Sequence, residues 1–374
     1  LAAAKKALGV PEQEFYVPQE VRDMIDARVA ELEKEEAAWD AKFQQFVEAN
    51  PDKAALLSKM MNREVPANLL EELVAAAPVE KPVATRASSG TILQKAAALV
   101  PALYGGAADL APSTKTDLKG GPYFSPENRA GRNFHFGVRE LGMGFIANGM
   151  ALFGAAIAYS STFFVFSDFM KPAIRLAALQ KLPVIYVFTH DSFFVGEDGP
   201  THEPIEQLAM LRTIPGMTVI RPAEAIECAH AWAHAITAQS PVALILTRQD
   251  LRPLCECARP KVALEKGAYV VSCEEGFEYI LIGTGSELNL ALDTAEELRK
   301  AGKKVRVVSM PSWELFLKQD KAYRDSVLPP SCKKRDSIEA GSTFGSEKLF
   351  GDEELASGVD PFGASSPYQV LTEN

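Results

Sequence analysis

The chain is 374 residues long, 47% hydrophobic and 24% charged, with a formal net charge of −10. Those values fit an ordinary globular protein of two or three domains. No window holds the roughly eighteen uninterrupted apolar residues of a membrane span, and an acidic chain without a basic stripe is a poor nucleic-acid binder, so neither a membrane nor a nucleic acid is an expected partner.

Taken in chain order, residues 1–80 carry helical patterns and no strand. Val21, Met24, Ile25, Val29 and Leu32 recur at helical spacing among charges. Pro51-Asp52 breaks the pattern, and a second short helix runs from Ala54 to Met61. A charged stretch without strands reads as a helical linker arm. The opening at Leu1, not Met, and the absence of a signal-peptide pattern suggest a piece of a longer protein or one subunit of a split one.

Residues 81–255 alternate helices with apolar strands. Leu99–Leu103 leads into Gly105-Gly106, 145–156 is small and apolar, and 167–179 is an amphipathic helix. Val184–Thr189 and Val242–Thr247 read as buried strands of a parallel sheet, being near-continuous apolar runs. The alternation implies a doubly wound α/β domain. After a lapse around 254–266, Tyr279–Ile282, the turn Gly283-Thr284-Gly285-Ser286, a helix over Glu287–Lys300 closed by Gly302, and Lys304–Ser309 form a βαβ unit. This starts a smaller α/β domain over residues 256–374, with no closing helix evident before Asn374. The five cysteines, Cys228, Cys255, Cys257, Cys273 and Cys332, include no CxxC pair. Cys255-x-Cys257 is too tight for the usual zinc spacing, so free thiols in a reducing, cytoplasmic setting are expected.

Several segments invite chemistry. Gly283-Thr284-Gly285-Ser286-Glu287 lacks the third glycine of a dinucleotide fingerprint, and Val308-Ser309-Met310-Pro311 offers no acidic ribose ligand; a structural strand-to-helix turn is favoured. No P-loop is present, which disfavours a nucleotide kinase or ATPase. Glu140, entering apolar Leu141-Gly142-Met143, is either a poorly solvated carboxyl with a raised pKa or a helix-N-terminal acid favoured by the dipole. Phe163, Phe166 and Phe169 share a face if their segment is helical. They make either a core stripe or, given the neighbouring Ser160-Ser161-Thr162, Ser167 and Asp168, the wall of a pocket.

The densest polar cluster is Gly196-Glu197-Asp198-Gly199-Pro200-Thr201-His202, which follows the strand 184–189 and the pair His190-Asp191. Two of five histidines stand here beside two aspartates, at a strand end where α/β proteins keep their sites. No HxH or HExxH spacing supports a metal. Arg86 and Arg248, at the edges of the domain, could bind an anionic group.

Together these segments resemble transketolase. The resembling stretches are Gly105-Gly106-Ala107-Ala108-Asp109-Leu110-Ala111-Pro112-Ser113, Phe136-Gly137-Val138-Arg139-Glu140, Ser161-Thr162-Phe163, Thr189-His190-Asp191 and Gly196 through His202. Leu246-Thr247-Arg248-Gln249, Gly283-Thr284-Gly285-Ser286-Glu287 and Val308-Ser309-Met310-Pro311-Ser312 complete the series. The resemblance implies a thiamine-diphosphate enzyme that moves a two-carbon ketol unit from a ketose phosphate to an aldose phosphate, with Mg²⁺ or Ca²⁺ and a homodimer whose site lies between chains. It implies a pyrimidine-binding domain followed by a C-terminal domain. Glu140 would hydrogen-bond the aminopyrimidine and favour its imino tautomer, which takes the thiazolium proton. Phe163, Phe166 and Phe169, with Asp109 and Leu110, would line the cofactor. His190, Asp198 and His202 would meet the sugar hydroxyls and move protons, with Asp198 and His202 facing His190. Arg86, Ser113 and Arg248 would clamp the phosphate.

The family's Gly-Asp-Gly motif with a downstream Asn, which holds metal and diphosphate, has no match; Gly196-Glu197-Asp198-Gly199 and Gly351-Asp352-Glu353 do not fit it. Ser346, in Phe344-Gly345-Ser346-Glu347-Lys348, stands where the family usually has Trp. The diphosphate-binding domain is therefore expected to be absent, and the chain to be inactive until joined to such a domain or subunit. The rival expectations are a non-catalytic module and a related dihydroxyacetone synthase.

Overall fold

The structure, a computed structural model, describes residues 1–346, 349 and 355–372; Glu347, Lys348 and Gly351-Asp352-Glu353 lie outside them. The chain divides into two compact units, residues 1–59 and residues 60–374. In the first, the helical spacing is realised as one long helix, Gln19–Ala49, followed by Pro51–Met61. Asn50 leaves helical geometry, and Pro51, whose missing amide proton costs nothing in a first turn, opens the second helix. Trp39 stacks on Phe43 at 5.1 Å and Phe43 on Phe46 at 6.2 Å, the pairings that i,i+4 and i,i+3 spacing allows.

The second unit rests on two sheets. Its strands are β1 (Val83–Ala84), β2 (Leu103–Ala107), β3 (Asn133–His135), β4 (Ile157–Phe163), β5 (Ile185–Thr189), β6 (Thr218–Ile220), β7 (Val242–Leu246), β8 (Asp250–Leu251), β9 (Tyr269–Cys273), β10 (Tyr279–Gly283), β11 (Val305–Ser309), β12 (Arg335–Ile338) and β13 (Leu355–Ser357). The larger sheet has the order β3-β2-β4-β5-β7-β6, every neighbouring pair parallel, as doubly wound architecture requires. All residues of β5 and β7 are buried, because helices cover both faces. One face packs Ile157, Val187 and Leu244 against Trp232 and Ile92; the other packs Ala158, Phe188 and Ile245 against Met143, Met170 and Ile174.

β4 has no counterpart among the expected strands. Its centre, Ser160-Ser161-Thr162, looks polar in sequence, yet all seven of its residues are buried. Gly105 and Gly106 lie within β2. A Cβ on Gly105 would meet the Tyr159 carbonyl at 2.2 Å and one on Gly106 the Phe134 carbonyl at 2.0 Å, so the flanking strands leave no room for a side chain.

The smaller sheet runs β13-β12-β10-β11-β9, with β9 antiparallel to β11 and the other pairs parallel. The expected βαβ unit is present as β10, the helix Glu287–Lys300 and β11. A one-turn helix, Tyr368–Leu371, stands where no closing helix was expected. Among the described residues no helix is long and apolar enough to cross a membrane.

β1 and β8 form a two-residue antiparallel ladder, Val83 opposite Leu251 and Ala84 opposite Asp250. Beside it the Thr85 amide donates to Thr247 Oγ1 at 3.0 Å and the Thr247 amide to Thr85 Oγ1 at 2.7 Å. This exchange brings Arg86 and Arg248, one residue further along each segment, to the same place.

Candidate active site at the carboxyl ends of the parallel sheet

Every candidate residue from 109 to 248 follows a strand of the six-stranded sheet. Asp109, Leu110 and Ser113 follow β2, Glu140 follows β3, Phe163 to Phe169 end and follow β4, His190 to His202 follow β5, and Arg248 follows β7. The chain steps outward from β2 to β3, then crosses back to place β4 on the other side of β2. Ligand sites of α/β sheets lie at such a switch, outside the carboxyl ends.

Arg86 Nη1 donates to the Ser113 carbonyl at 2.9 Å and lies 3.2 Å from His190 Nε2. A guanidinium only donates, so Nε2 is the acceptor and the imidazole proton sits on Nδ1, 2.8 Å from Thr189 Oγ1. His190 has φ +61, a left-handed conformation that non-glycine residues seldom adopt. Its ring lies flat on Phe163, centroids 3.7 Å apart at 28°. Burial, followed by the charges of Arg86 and Arg248 and then His202, pushes the imidazole down to about 3. Burial and the Arg248 charge also lower the pKa of Arg86, whose buried Nε has no hydrogen-bond partner. Two guanidinium groups close enough to disfavour each other, with donors to spare, favour an anion beside them.

Glu140 opens the helix Glu140–Phe153 and is buried, accepting a hydrogen bond from Thr162 Oγ1 at 3.3 Å. The aromatic segment is not one helix. Phe163 ends β4, Phe164–Phe166 is a 3₁₀ turn and Ser167 starts the next helix. The ladder nevertheless forms: Phe163 and Phe166 stack at 6.1 Å and Phe166 and Phe169 pack at 6.1 Å, while Phe164 turns into the core. The ring edges of His202 meet Phe166 at 5.4 Å and Phe163 at 6.4 Å, and Thr201 Oγ1 lies 2.9 Å from its Nδ1.

Asp198 is exposed and, among the described residues, has no hydrogen bond to either histidine. Gly196 and Gly199, both at positive φ, shape the loop that carries Asp198. Asp109, exposed at φ +65, and half-buried Leu110 follow the end of β2.

Sequence reasoning missed the joint behind this site. Arg221, fully buried, donates from Nε to Asp191 Oδ2 at 2.9 Å, from Nη2 to Ser286 Oγ at 2.9 Å and from Nη1 to the Thr284 carbonyl at 2.8 Å, and it pairs with Glu287. Burial works against the cation, and Glu287, Asp191 and Glu339 together outweigh it and raise its pKa. Asp191 thus serves as an anchor for the loop between the sheets. The glycine turn 283–287 receives this arginine: a Cβ on Gly285, φ +60, would fall 2.6 Å from Arg221 Cγ. No local pattern around Arg221-Pro222 announces the joint.

A buried acid at a helix start, an aromatic ladder and an arginine pair gather at the end of a parallel sheet, the place where doubly wound α/β domains bind ligands. Three family models match in order: "Transketolase, thiamine diphosphate binding domain" over residues 1–66, "Transketolase, pyrimidine binding domain" over 81–253 and "Transketolase-like TK C-terminal domain" over 267–374. The chain belongs to the transketolase family.

A curated transketolase of Geobacillus stearothermophilus is 49% identical over 367 residues, covering 96% of this chain and 54% of the relative. The transketolase of Leishmania mexicana superposes with a TM-score of 0.91 at 36% identity, over 99% of this chain and 54% of that one. A Pichia stipitis transketolase in complex with sedoheptulose 7-phosphate gives 0.90 at 38% identity, over 99% and 55%. The chain spans about half the length of the relatives it matches.

The match over residues 1–66 corrects the expectation that the diphosphate-binding domain is absent, and with it the need for a separate diphosphate-binding partner. The reason is visible in the fold. The matched stretch is helical throughout its described elements, so it has no strand pattern by which sequence alone would separate a domain from a linker arm.

Proposed function

We propose that this chain serves the thiamine-diphosphate-dependent transfer of a two-carbon ketol unit from a ketose phosphate to an aldose phosphate. The observation that carries this reading is the meeting of Arg86, His190 and Phe163 at the sheet end that also holds Glu140.

The residues present fit the cofactor's pyrimidine. Phe169 is 63% exposed at the open end of the ladder, so a flat apolar wall faces outward where a ring could stack. Glu140, held by Thr162, would engage the ring nitrogen, with Asp109 and Leu110 at the rim. Thiamine diphosphate, when bound, supplies a carbon nucleophile toward the ketose carbonyl. Mg²⁺ or Ca²⁺ would accompany its diphosphate; among the described residues no cluster of three His, Cys, Asp or Glu could hold a metal, so no ligand is assigned to it.

On the substrate side, Arg86 and Arg248 with Ser113 would take the phosphate. Neutral His190, its Nε2 turned to Arg86, would orient the sugar, and Asp198 would accept from an outer hydroxyl. His202, wedged against two rings, would exchange a proton with a substrate hydroxyl. The helix Glu140–Phe153 leaves Leu141, Phe145, Ile146 and Phe153 exposed, a face that suits a second copy in a homodimer. The same reading divides the chain at residues 80 and 255 and places it in the cytoplasm.

The test is a ketol-transfer assay with thiamine diphosphate, a divalent cation and paired sugar phosphates. Transfer that disappears when the phosphate is removed from both sugars supports the reading. Absence of transfer across a panel of ketose donors would overturn it.

A further inference from the structure

Next to His202 lies a carboxyl to which the proposed reaction gives no part. Glu203 is 2% exposed, and neither carboxyl oxygen has a hydrogen-bond partner. A segment near the carboxyl terminus closes over it. A Cβ on Gly363 would fall 1.9 Å from Glu203 Oε2, so the bare backbone of a glycine is what lets that segment lie on the carboxyl.

The same segment grips the loop at three further points. Ser365 Oγ donates to the Glu197 carbonyl at 2.7 Å. A Cβ on Gly199 would meet Ser365 Cβ at 3.1 Å, and one on Gly196 would meet the Ser366 carbonyl and the Tyr368 amide at 3.2 Å. We propose that Glu203 is a positioning residue: with Gly363 to Tyr368 it forms a latch that pins the Gly196–His202 loop, and so fixes His202. The inference rests on the reading of His202 as a site residue.

A buried carboxyl without partners is tolerated as the neutral acid. Burial, with Asp198 adding to it, pushes Glu203 up to about 7 against the pull of the Gly196 amide, which approaches the carboxyl without completing a hydrogen bond. Glu197, Asp198 and the adjoining His202 are the titratable groups on its own loop, and Gly363, Ser365 and Ser366 bring no charge from the segment. Once ionised, the carboxylate gains by reaching water, which parts loop from segment.

The experiment uses the full enzyme with Gly363→Ala, Glu203→Ala, the double variant and Glu203→Gln. Gly363→Ala alone should lower the melting temperature and raise the KM for the sugar phosphate at least several-fold, with a smaller change in kcat. In the Glu203→Ala background the same change should cost little, because the clashing oxygen is gone. Proteolytic nicking of residues 359–366 should rise between pH 6 and 8 in the parent and stay flat in Glu203→Gln. Additive effects of the two alanine changes, or identical nicking profiles for parent and Glu203→Gln, would overturn the latch. Melting and nicking decide it even if the parent shows no ketol transfer, an outcome that would count against the functional reading alone.

Discussion

Phe163 and His190 lie face to face with ring centroids 3.7 Å apart, while Arg86 engages the edge of the histidine, 3.2 Å from Nε2. The imidazole thus has an apolar ring on its face and a cation at its edge, and both disfavour its protonated form. This separates it from His202, which meets only ring edges within the same ladder.

The first expectation concerns pH. His190 is held at about 3 by burial and then by Arg86 and Arg248, against an ordinary value near 6.5. The unfolded chain therefore binds more protons than the folded one between those two values. The stability that neutral His190 protects is complete above about 6.5 and is lost as pH falls toward 3. The melting temperature should drop less steeply over that interval in His190→Gln than in the parent. Its NMR C–H resonance should not titrate between pH 5 and 8, and a midpoint near 6.5 would refute the arrangement.

A second concerns Glu140. Its replacement by Gln keeps the size and removes the carboxylate that meets Thr162. Positioned acid–base groups contribute about 10²–10⁴-fold, so kcat at saturating thiamine diphosphate should fall by about that range, with the melting temperature nearly unchanged. Normal turnover by Glu140→Gln would remove Glu140 from the proposed site.

The arginine pair gives a third. Each charge-assisted contact is worth about 1.5–3 kcal/mol, or roughly 10–100-fold in affinity. Arg86→Ala and Arg248→Ala should raise the KM for a phosphorylated donor by about that factor. The same variants should barely alter KM for the corresponding free sugar. Equal losses on both substrates would mean that the arginines act on structure instead.

A fourth addresses the joint between the sheets. Arg221→Met leaves Asp191 and Glu287 buried and unpaired, a loss of about 3–5 kcal/mol, measurable by denaturant unfolding. Gly285→Ala should also destabilise, since its Cβ meets Arg221 and its φ is +60. Gly302→Ala should cost less, since nothing stands within 4 Å of its Cβ, so the difference between the two isolates the clash.

What sequence revealed and what it hid follow from the range of the interactions. The apolar runs of β5 and β7, the periodic helix Gln19–Ala49 and the βαβ unit around Glu287 are local patterns and could be read directly. The candidate residues from 109 to 248 each end or follow a strand of one sheet, so they could be listed together from their order and the resemblance to transketolase, whereas Arg86 follows β1. β4 escaped because Ser160 to Thr162 are polar residues buried between two covered faces. Arg221 escaped because its partners, Asp191 and Glu287, are far apart in sequence. The helical match over residues 1–66 escaped because a stretch without strands looks the same whether it links domains or belongs to one.

The hydroxyl exchange between Thr85 and Thr247 joins positions 162 residues apart. Arg86 and Arg248 become neighbours only when the first and last segments of the sheet domain have met. A folding intermediate holding β2 to β5 would already own His190 and the aromatic ladder, yet would have no grip on a phosphate. Long-range closures of this kind form late, because their loop entropy is met before the contact is gained. On the proposed reading, affinity for a phosphorylated sugar would come only with that closure, and its appearance during refolding would time it.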